Sequence, residues 1–296
     1  METSPHFVCG LYLFYFMLYN FLVDRRHEMK QLKENIQNSR KIVIKIGSNV
    51  LSDENGAVNR QVMHNIVEQV NDLIGMGKQV ILVSSGAGIC GVGAINKWSR
   101  RGDINYKQAL CAIGQVELVM AYKEYFWDYG IHVAQILLTR DDFNDHHRTL
   151  NIRNTMFTLV DEGVIPVINE NDSVSTDEMN IGDNDTLAAL TTTLWNADLM
   201  IILSDIDGVF DKDPKTNDDA ALIETVENAD ALISSISIGE KSSFGTGGIQ
   251  SKIEAASRVN KFGIPMILLN GSRPDIIRDS IEGNGRGTLF LGTISK

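Results

Sequence analysis

The chain reads as an α/β protein built on a mainly parallel sheet. Three observations carry this reading. From Arg40 onward, short runs rich in β-branched residues alternate with longer amphipathic stretches; the short runs are apolar almost throughout; and polar, glycine-bearing clusters follow directly on their ends. Lys41 to Ile46 is the first candidate strand, and the amphipathic run Val58 to Gly75 leads to a second at Gln79 to Ser84. Tyr106 to Tyr129 is a candidate helix, followed by strand Ile131 to Leu138, helix His147 to Gly163 and strand Val164 to Asn169. Helix Asp185 to Asn196 precedes strand Leu199 to Ser204, and helix Gly248 to Phe262 precedes strands Ile264 to Leu269 and Thr288 to Leu291. Asn171 to Met179 reads as a polar hairpin, and Asp207 to Asp219, with Asp213-Pro214, as a turn-rich loop.

At 296 residues the chain is long enough to bury a large α/β core. A formal net charge of -11 argues against nucleic acid or an anionic membrane surface as the main partner, because either calls for a basic patch. The three cysteines, Cys9, Cys90 and Cys111, show no metal-ligand spacing, and their odd number opposes a disulfide framework. They read as reduced thiols, consistent with a cytoplasmic location. The N-terminus differs in kind. Phe7 to Val23 is 17 uncharged residues, seven of them aromatic, without the basic start or cleavage site of a signal peptide and at the lower length limit for a membrane span. Residues 1–39 therefore read as an extension, with Met29 a candidate working start, ahead of one folded domain from residue 40 to 296.

Lys45 is the most informative residue. An unpaired ammonium at the end of a buried strand costs roughly several kcal/mol, so it requires an anion. Lys252 stands in a similar setting, where Gly245-Thr246-Gly247-Gly248 leads through Ile249, Gln250 and Ser251 into an amphipathic run. The loop is not a Walker A sequence, yet its amides and Lys252 suit phosphate, and two such lysines point to one shared phosphate. Gly86-Ala87-Gly88-Ile89-Cys90-Gly91 matches the dinucleotide fingerprint in letters alone. The next candidate strand begins about 40 residues later and ends in Thr139-Arg140 with no acidic residue, so the loop is read instead as an anion site at a helix start. Asn169-Glu170-Asn171-Asp172 at a strand tip, with Asp183, Asn184 and Asp185, gathers carboxylates that repel an anionic substrate unless it also carries an ammonium. An α-amino acid fits. His146 and His147 fall on different faces of a helix start and read as surface or capping residues; Tyr122, Tyr125, Phe126 and Tyr129 read as core or an oligomer face.

These motifs together resemble the amino acid kinase family: Lys-Ile-Gly-Ser at 45–48, Ser-Ser-Gly-Ala at 84–87, Ile-Gly-Gln at 113–115, Leu-Leu-Thr-Arg at 137–140, Pro-Val-Ile-Asn-Glu-Asn-Asp at 166–172, Gly-Asn-bearing Gly182-Asp183-Asn184-Asp185, Gly-Thr-Gly-Gly at 245–248 and Gly-Thr-Leu-Phe at 287–290. Within the family they are most similar to members that phosphorylate the side-chain carboxylate of free L-glutamate with ATP and Mg²⁺, the first step of proline biosynthesis. The resemblance implies a three-layer αβα sandwich on a central sheet of about eight strands. It implies that Lys45 and Lys252 steady the transferring phosphoryl group and that Asp185 holds both lysines. It places the substrate carboxylate at Ser85, Gly86 and Ala87, and assigns Asn169, Asp172, Asp183 and Asn184 to positioning glutamate. Ser204, Asp205, Lys212 and the stretch Thr246, Gly247, Gly248, Ile249, Gln250, Ser251 and Lys252 match nucleotide-binding positions. No protein metal ligand is implied.

The same likeness implies a homo-oligomer, feedback inhibition by proline, and a glutamyl phosphate reductase as the next enzyme. Many relatives carry a further C-terminal PUA or reductase domain, so this chain is expected to be a kinase-only form. Other readings stay open at the sequence level: kinases acting on acetylglutamate or aspartate, or a noncatalytic sensor of ATP or an amino acid. An acetylated amine carries no positive charge, so the acids favour a free amine; one methylene is worth only about 1–3 kcal/mol, which leaves aspartate unresolved.

Overall fold

The computed structural model of the chain describes residues 30–53, 57–95, 103–174, 184–238 and 248–292. A helix over 30–38 (α1) precedes β1 (Lys41–Ile46), the single turn α2 (Ser48–Leu51), α3 (Arg60–Gly75), β2 (Gln79–Ser84), α4 (Ala87–Ile95) and α5 (Ile104–Trp127). Then come β3 (Val133–Leu138), a 3₁₀ turn at Arg140–Phe143, α6 (His146–Asp161), β4 (Ile165–Glu170), α7 (Asn184–Trp195) and β5 (Leu199–Ser204). The short β6 (Val209–Phe210), β7 (Leu222–Ile223) and β8 (Thr225–Val226) lead to α8 (Ala229–Ile238), α9 (Gly248–Asn260), β9 (Met266–Asn270), α10 (Ile276–Glu282) and β10 (Gly287–Phe290).

Eight strands form the main sheet in the order β3-β4-β2-β1-β5-β9-β10-β8, and only the β9/β10 pairing is antiparallel. The chain leaves β1 toward β2 on one side and later fills β5 and β9 on the other. The carboxyl ends of β1, β2 and β5 therefore flank a topological switch point, where an open sheet parts to admit a ligand.

Because side chains alternate along a strand, β1 feeds two cores. Ile42, Ile44 and Ile46 pack on one face with residues of α1, α3, α5 and α10, including the buried Leu32 and Ile36 of α1. Val43 packs on the other face with α6, α7, α8 and α9. Lys45 shares the Val43 parity, so its side chain rises toward α7 and α9. Its backbone sits in register between Val83 of β2 and Ile202 of β5.

Asn59, Asp103 and Asp145 cap α3, α5 and α6 by accepting from Val62, Tyr106 and Arg148 N–H groups. The Gly86–Gly91 run opens α4. Gly86 takes φ +107, and α4 then lies so close to α5 that a Cβ on Gly91 would stand 1.9 Å from the Leu110 carbonyl oxygen, and one on Gly114 1.8 Å from that of Ala87. Gly91 and Gly114 serve close helix contact, while Gly86, Ala87 and Gly88 at the start of α4 line the main cleft.

The sequence reading placed the central strands within about two residues of their observed bounds. It missed α1, α2, α4, α8, α10 and the small strands β6 to β8, of which β6 falls inside the predicted 207–219 loop and pairs with β7. Asn171 to Val174 is a turn; the rest of the predicted hairpin, Ser175 to Met179, lies outside the described residues. Tyr122 and Phe126 are fully buried while Tyr129 is exposed, and His146 and His147 are on the surface beside the capping Asp145. Among the described residues no helix is long and apolar enough to cross a membrane; Phe7 to Val23 lies outside them.

Candidate active site

Strand parity and two helix starts bring three charges together. Asp185, in the first turn of α7, is 0% exposed, and its Oδ1 lies 2.6 Å from Lys45 Nζ. Its Oδ2 accepts from Lys252 Nζ at 3.1 Å and from Ser251 Oγ at 3.0 Å, both near the start of α9. Lys252 also donates to the Gly248 carbonyl at 2.9 Å. Lys45 and Lys252 are themselves 5% and 9% exposed. Two ammoniums share one buried carboxylate, so this group carries a surplus positive charge, held in a setting of low dielectric where it attracts an anion strongly.

Around it opens a cleft of about 530 Å³, bounded by the carboxyl ends of β1, β2, β4 and β5 and by the first turns of α4, α7 and α9. Helix N-termini present unbonded N–H groups and a positive dipole end, which adds to the preference for anions. On the β2/β4 side a chain of amides is fixed. Asn169 Nδ2 donates to Gln115 Oε1 at 2.6 Å; Asn169 Oδ1 accepts from Asn184 Nδ2 at 2.9 Å; and Asn184 Nδ2 reaches Ser85 Oγ at 2.9 Å. Behind it the Tyr122 hydroxyl bonds Ser84 Oγ at 2.9 Å, anchoring α5 to the end of β2.

Asp172 closes this end of the cleft. Burial raises its carboxyl above the usual range, partly offset by a hydrogen bond from the Cys111 thiol. The Cys111 thiol is pushed up to about 12 by burial and by the Asp172 charge it faces, so it is a neutral donor and not a nucleophile.

On the β5 side a second cavity of about 250 Å³ adjoins the cleft through Asn49, Ser204, Asp205, Gly248 and Lys252, and is lined by Ile206, Val209, Phe210, Pro214 and Ile249. Burial alone would raise Asp205. Hydrogen bonds from Asn49 Nδ2 at 3.0 Å, its own backbone and Ser204, with the Lys252 charge, hold its carboxyl below the ordinary range instead.

Of the residues singled out in the sequence, Lys45, Ser85, Gly86, Ala87, Asn169, Asp172, Asn184, Ser204, Asp205, Gly248, Ser251 and Lys252 line the main cleft, with Asp185 buried beneath it. Ile249 lines the second cavity. Lys212 does too, but its ammonium is already paired with Asp219 at 2.6 Å. Gln250 lies exposed on α9, bonded to Glu254 at 2.9 Å, and lines neither space. Asp183, Thr246 and Gly247 lie outside the described residues. The sequence reading assigned no site role to Asn49, Cys111 or Gln115; Glu170, read there only as one acid of the strand tip, also lines the cleft. Gln115 belongs to a quoted motif and Asn49 follows one; Cys111 carries no signal until α5 is seen to lie against the turn after β4.

The amino acid kinase family profile matches residues 40–270, and this chain belongs to that family. Curated relatives include a glutamate 5-kinase of Alkaliphilus metalliredigens (strain QYMF), 59% identical over 88% of this chain and 98% of its own length. Another, from Alkaliphilus oremlandii (strain OhILAs), is 56% identical over 88% of this chain and 99% of its own. Among solved structures, a UMP kinase from Bacillus anthracis superposes with a TM-score of 0.60 at 17% identity, covering 86% of this chain and 96% of that one; the likeness is one of fold.

Proposed function

We infer that this chain is a glutamate 5-kinase, moving the γ-phosphoryl group of ATP to the side-chain carboxylate of L-glutamate. The observation that carries this is the surplus positive charge of Lys45 and Lys252 on Asp185, set between an amide-and-carboxylate pocket and a more apolar cavity. Glutamate's ammonium is assigned to Asp172, with Asn169, Asn184 and Asp183 completing its pocket, and its reacting end to Ser85, Gly86 and Ala87. The nucleoside is assigned to the cavity at Ile206, Val209 and Ile249, with Ser204, Asp205 and the 246–252 stretch following its phosphates.

One carboxylate oxygen attacks the γ-phosphorus in line, the bond from that phosphorus to the β,γ-bridging oxygen breaks, and ADP leaves. No proton moves, because the carboxylate is already ionised at neutral pH. Catalysis is then alignment and charge neutralisation, the role given to Lys45 and Lys252. Mg²⁺ enters as part of the nucleotide substrate, held chiefly by phosphate oxygens and water, where it neutralises phosphate charge.

The product is an acyl phosphate whose own amine is placed to cyclise, which supports a glutamyl phosphate reductase as its recipient. Proline inhibition, homo-oligomeric assembly and cytoplasmic residence belong to the same proposal.

Trapping with hydroxylamine tests it: ATP-dependent hydroxamate forms with glutamate and little with aspartate or acetylglutamate. Preference for either of those assigns a sister kinase, and ATP binding without product with any of the three assigns a sensor. A pH profile tests the ammonium site. Because burial raises Asp172, it takes up its proton at a higher pH than an exposed carboxylate. The KM for glutamate thus climbs as pH falls into mild acid while kcat changes less, and Asp172→Asn has a high KM without that limb. An unchanged limb in the variant removes Asp172 from the role.

A further inference from the structure

The segment Ser204 to Val209 walls both cavities, yet its shape is imposed from the turn after β9. The Asp207 carboxylate accepts a forked pair of bonds from Arg273, Nε at 2.9 Å and Nη2 at 2.5 Å, and a third from Asn270 Nδ2 at 2.8 Å. The Asn270 amide is itself oriented, since its Oδ1 accepts from the Ser272 N–H at 3.1 Å. From the same turn the Gly271 N–H reaches the Ser204 carbonyl at 2.8 Å. Gly271 also packs so tightly that a Cβ there would stand 2.8 Å from Leu203 Cβ and 2.9 Å from Val50 Cγ1. Val50 belongs to α2, whose Asn49 donates to Asp205. These contacts close a ring from α2 through Asp205 and Asp207 to the 270–273 turn and back. Asp207, Asn270 and Arg273 line neither cavity.

We propose that Asp207, gripped by Arg273 and Asn270, is a positioning residue for the nucleotide, keeping Asp205 and the Gly208–Val209 wall in register with Lys252. The inference rests on the ATP-dependent reading above. Arg273 is 46% exposed at its side chain, so water and salt screen its charge, and what the pair supplies is the fixed geometry of a fork. A lysine at 273 keeps the charge and loses the fork.

The test uses the full chain with Asp207→Asn, Arg273→Gln, Arg273→Lys and the Asp207→Asn/Arg273→Gln double variant. Steady-state kinetics with ATP and with glutamate varied are paired with calorimetric binding of ADP. Each single variant raises the KM for ATP and the Kd for ADP by about tenfold, while kcat and the KM for glutamate stay within about twofold. The double variant is no worse than Asp207→Asn, because both changes remove one interaction. Unchanged ADP affinity overturns the proposal, as does a fall in kcat and in affinity for both substrates together, which marks a merely structural ion pair. Should the wild-type chain form no product from glutamate, the functional reading fails, and the ADP affinities still decide the positioning role.

Discussion

Lys252→Ala and Lys45→Ala each lower kcat by on the order of 10² or more, with a smaller change in the KM for glutamate. The loss falls on kcat because negative charge grows on the transferred group and the leaving oxygen during the reaction, so a fixed ammonium beside them is worth most in the transition state. Both variants keep the fold. Two lysines share Asp185, at 2.6 and 3.1 Å, and removing either leaves a neutral pair in place of a surplus charge. Thermal melts therefore shift little while turnover collapses. Turnover near that of the wild type in either variant removes that lysine from the mechanism. Arg in place of either lysine does not restore activity, since a planar fork cannot occupy the site of a compact ammonium facing one carboxylate oxygen.

Asp185→Asn has the opposite signature, losing stability and activity together. It leaves two ammoniums facing each other at a site where the lost carboxylate was 0% exposed. Breaking such a buried cluster from the carboxylate side costs about 3–5 kcal/mol. For a domain of this size that corresponds to a melting temperature lower by roughly 10 °C. The decisive comparison is the Asp185→Asn/Lys252→Met double variant. Removing one of the two repelling charges recovers part of the stability lost by Asp185→Asn, a coupling of opposite sign to simple addition, while activity stays absent. If the double variant is as unstable as the sum of the two single ones, Asp185 does not act by balancing the lysines.

Much of the site was legible because charge in a core strand is costly. Lys45 could be read from one strand alone: parity puts it on the Val43 face, and burial demands an anion. That the anion was Asp185 needed the resemblance, since α7 is distant in sequence and nothing local marks which carboxylate turns inward. Within the Gly86–Gly91 run the sequence could not separate the two uses of glycine: one kept for close helix contact, as at Gly91, has the same letter as one kept for a phosphate, and the partner carbonyl at Leu110 is invisible without α5. The amide chain through Gln115 and the Asp207–Arg273 fork were illegible for a related reason: the first joins α5, the end of β4, the start of α7 and the residue after β2, the second the segments after β5 and β9, and these become neighbours only in the folded sheet. The short elements α8, α10 and β6 to β8 carry too little periodic pattern to register against their polar surroundings.

Isotope transfer reads most directly which oxygen attacks phosphorus. Glutamate labelled with ¹⁸O in its side-chain carboxylate is incubated with the chain and MgATP, and the phosphate released as the acyl phosphate cyclises is examined by ³¹P NMR. Attack by the carboxylate leaves one of its oxygens bridging carbon and phosphorus, and cyclisation at carbon expels that oxygen with the phosphate. One ¹⁸O per released phosphate is the predicted result; phosphate carrying no label means that water, or some other group, received the phosphoryl transfer, and contradicts it.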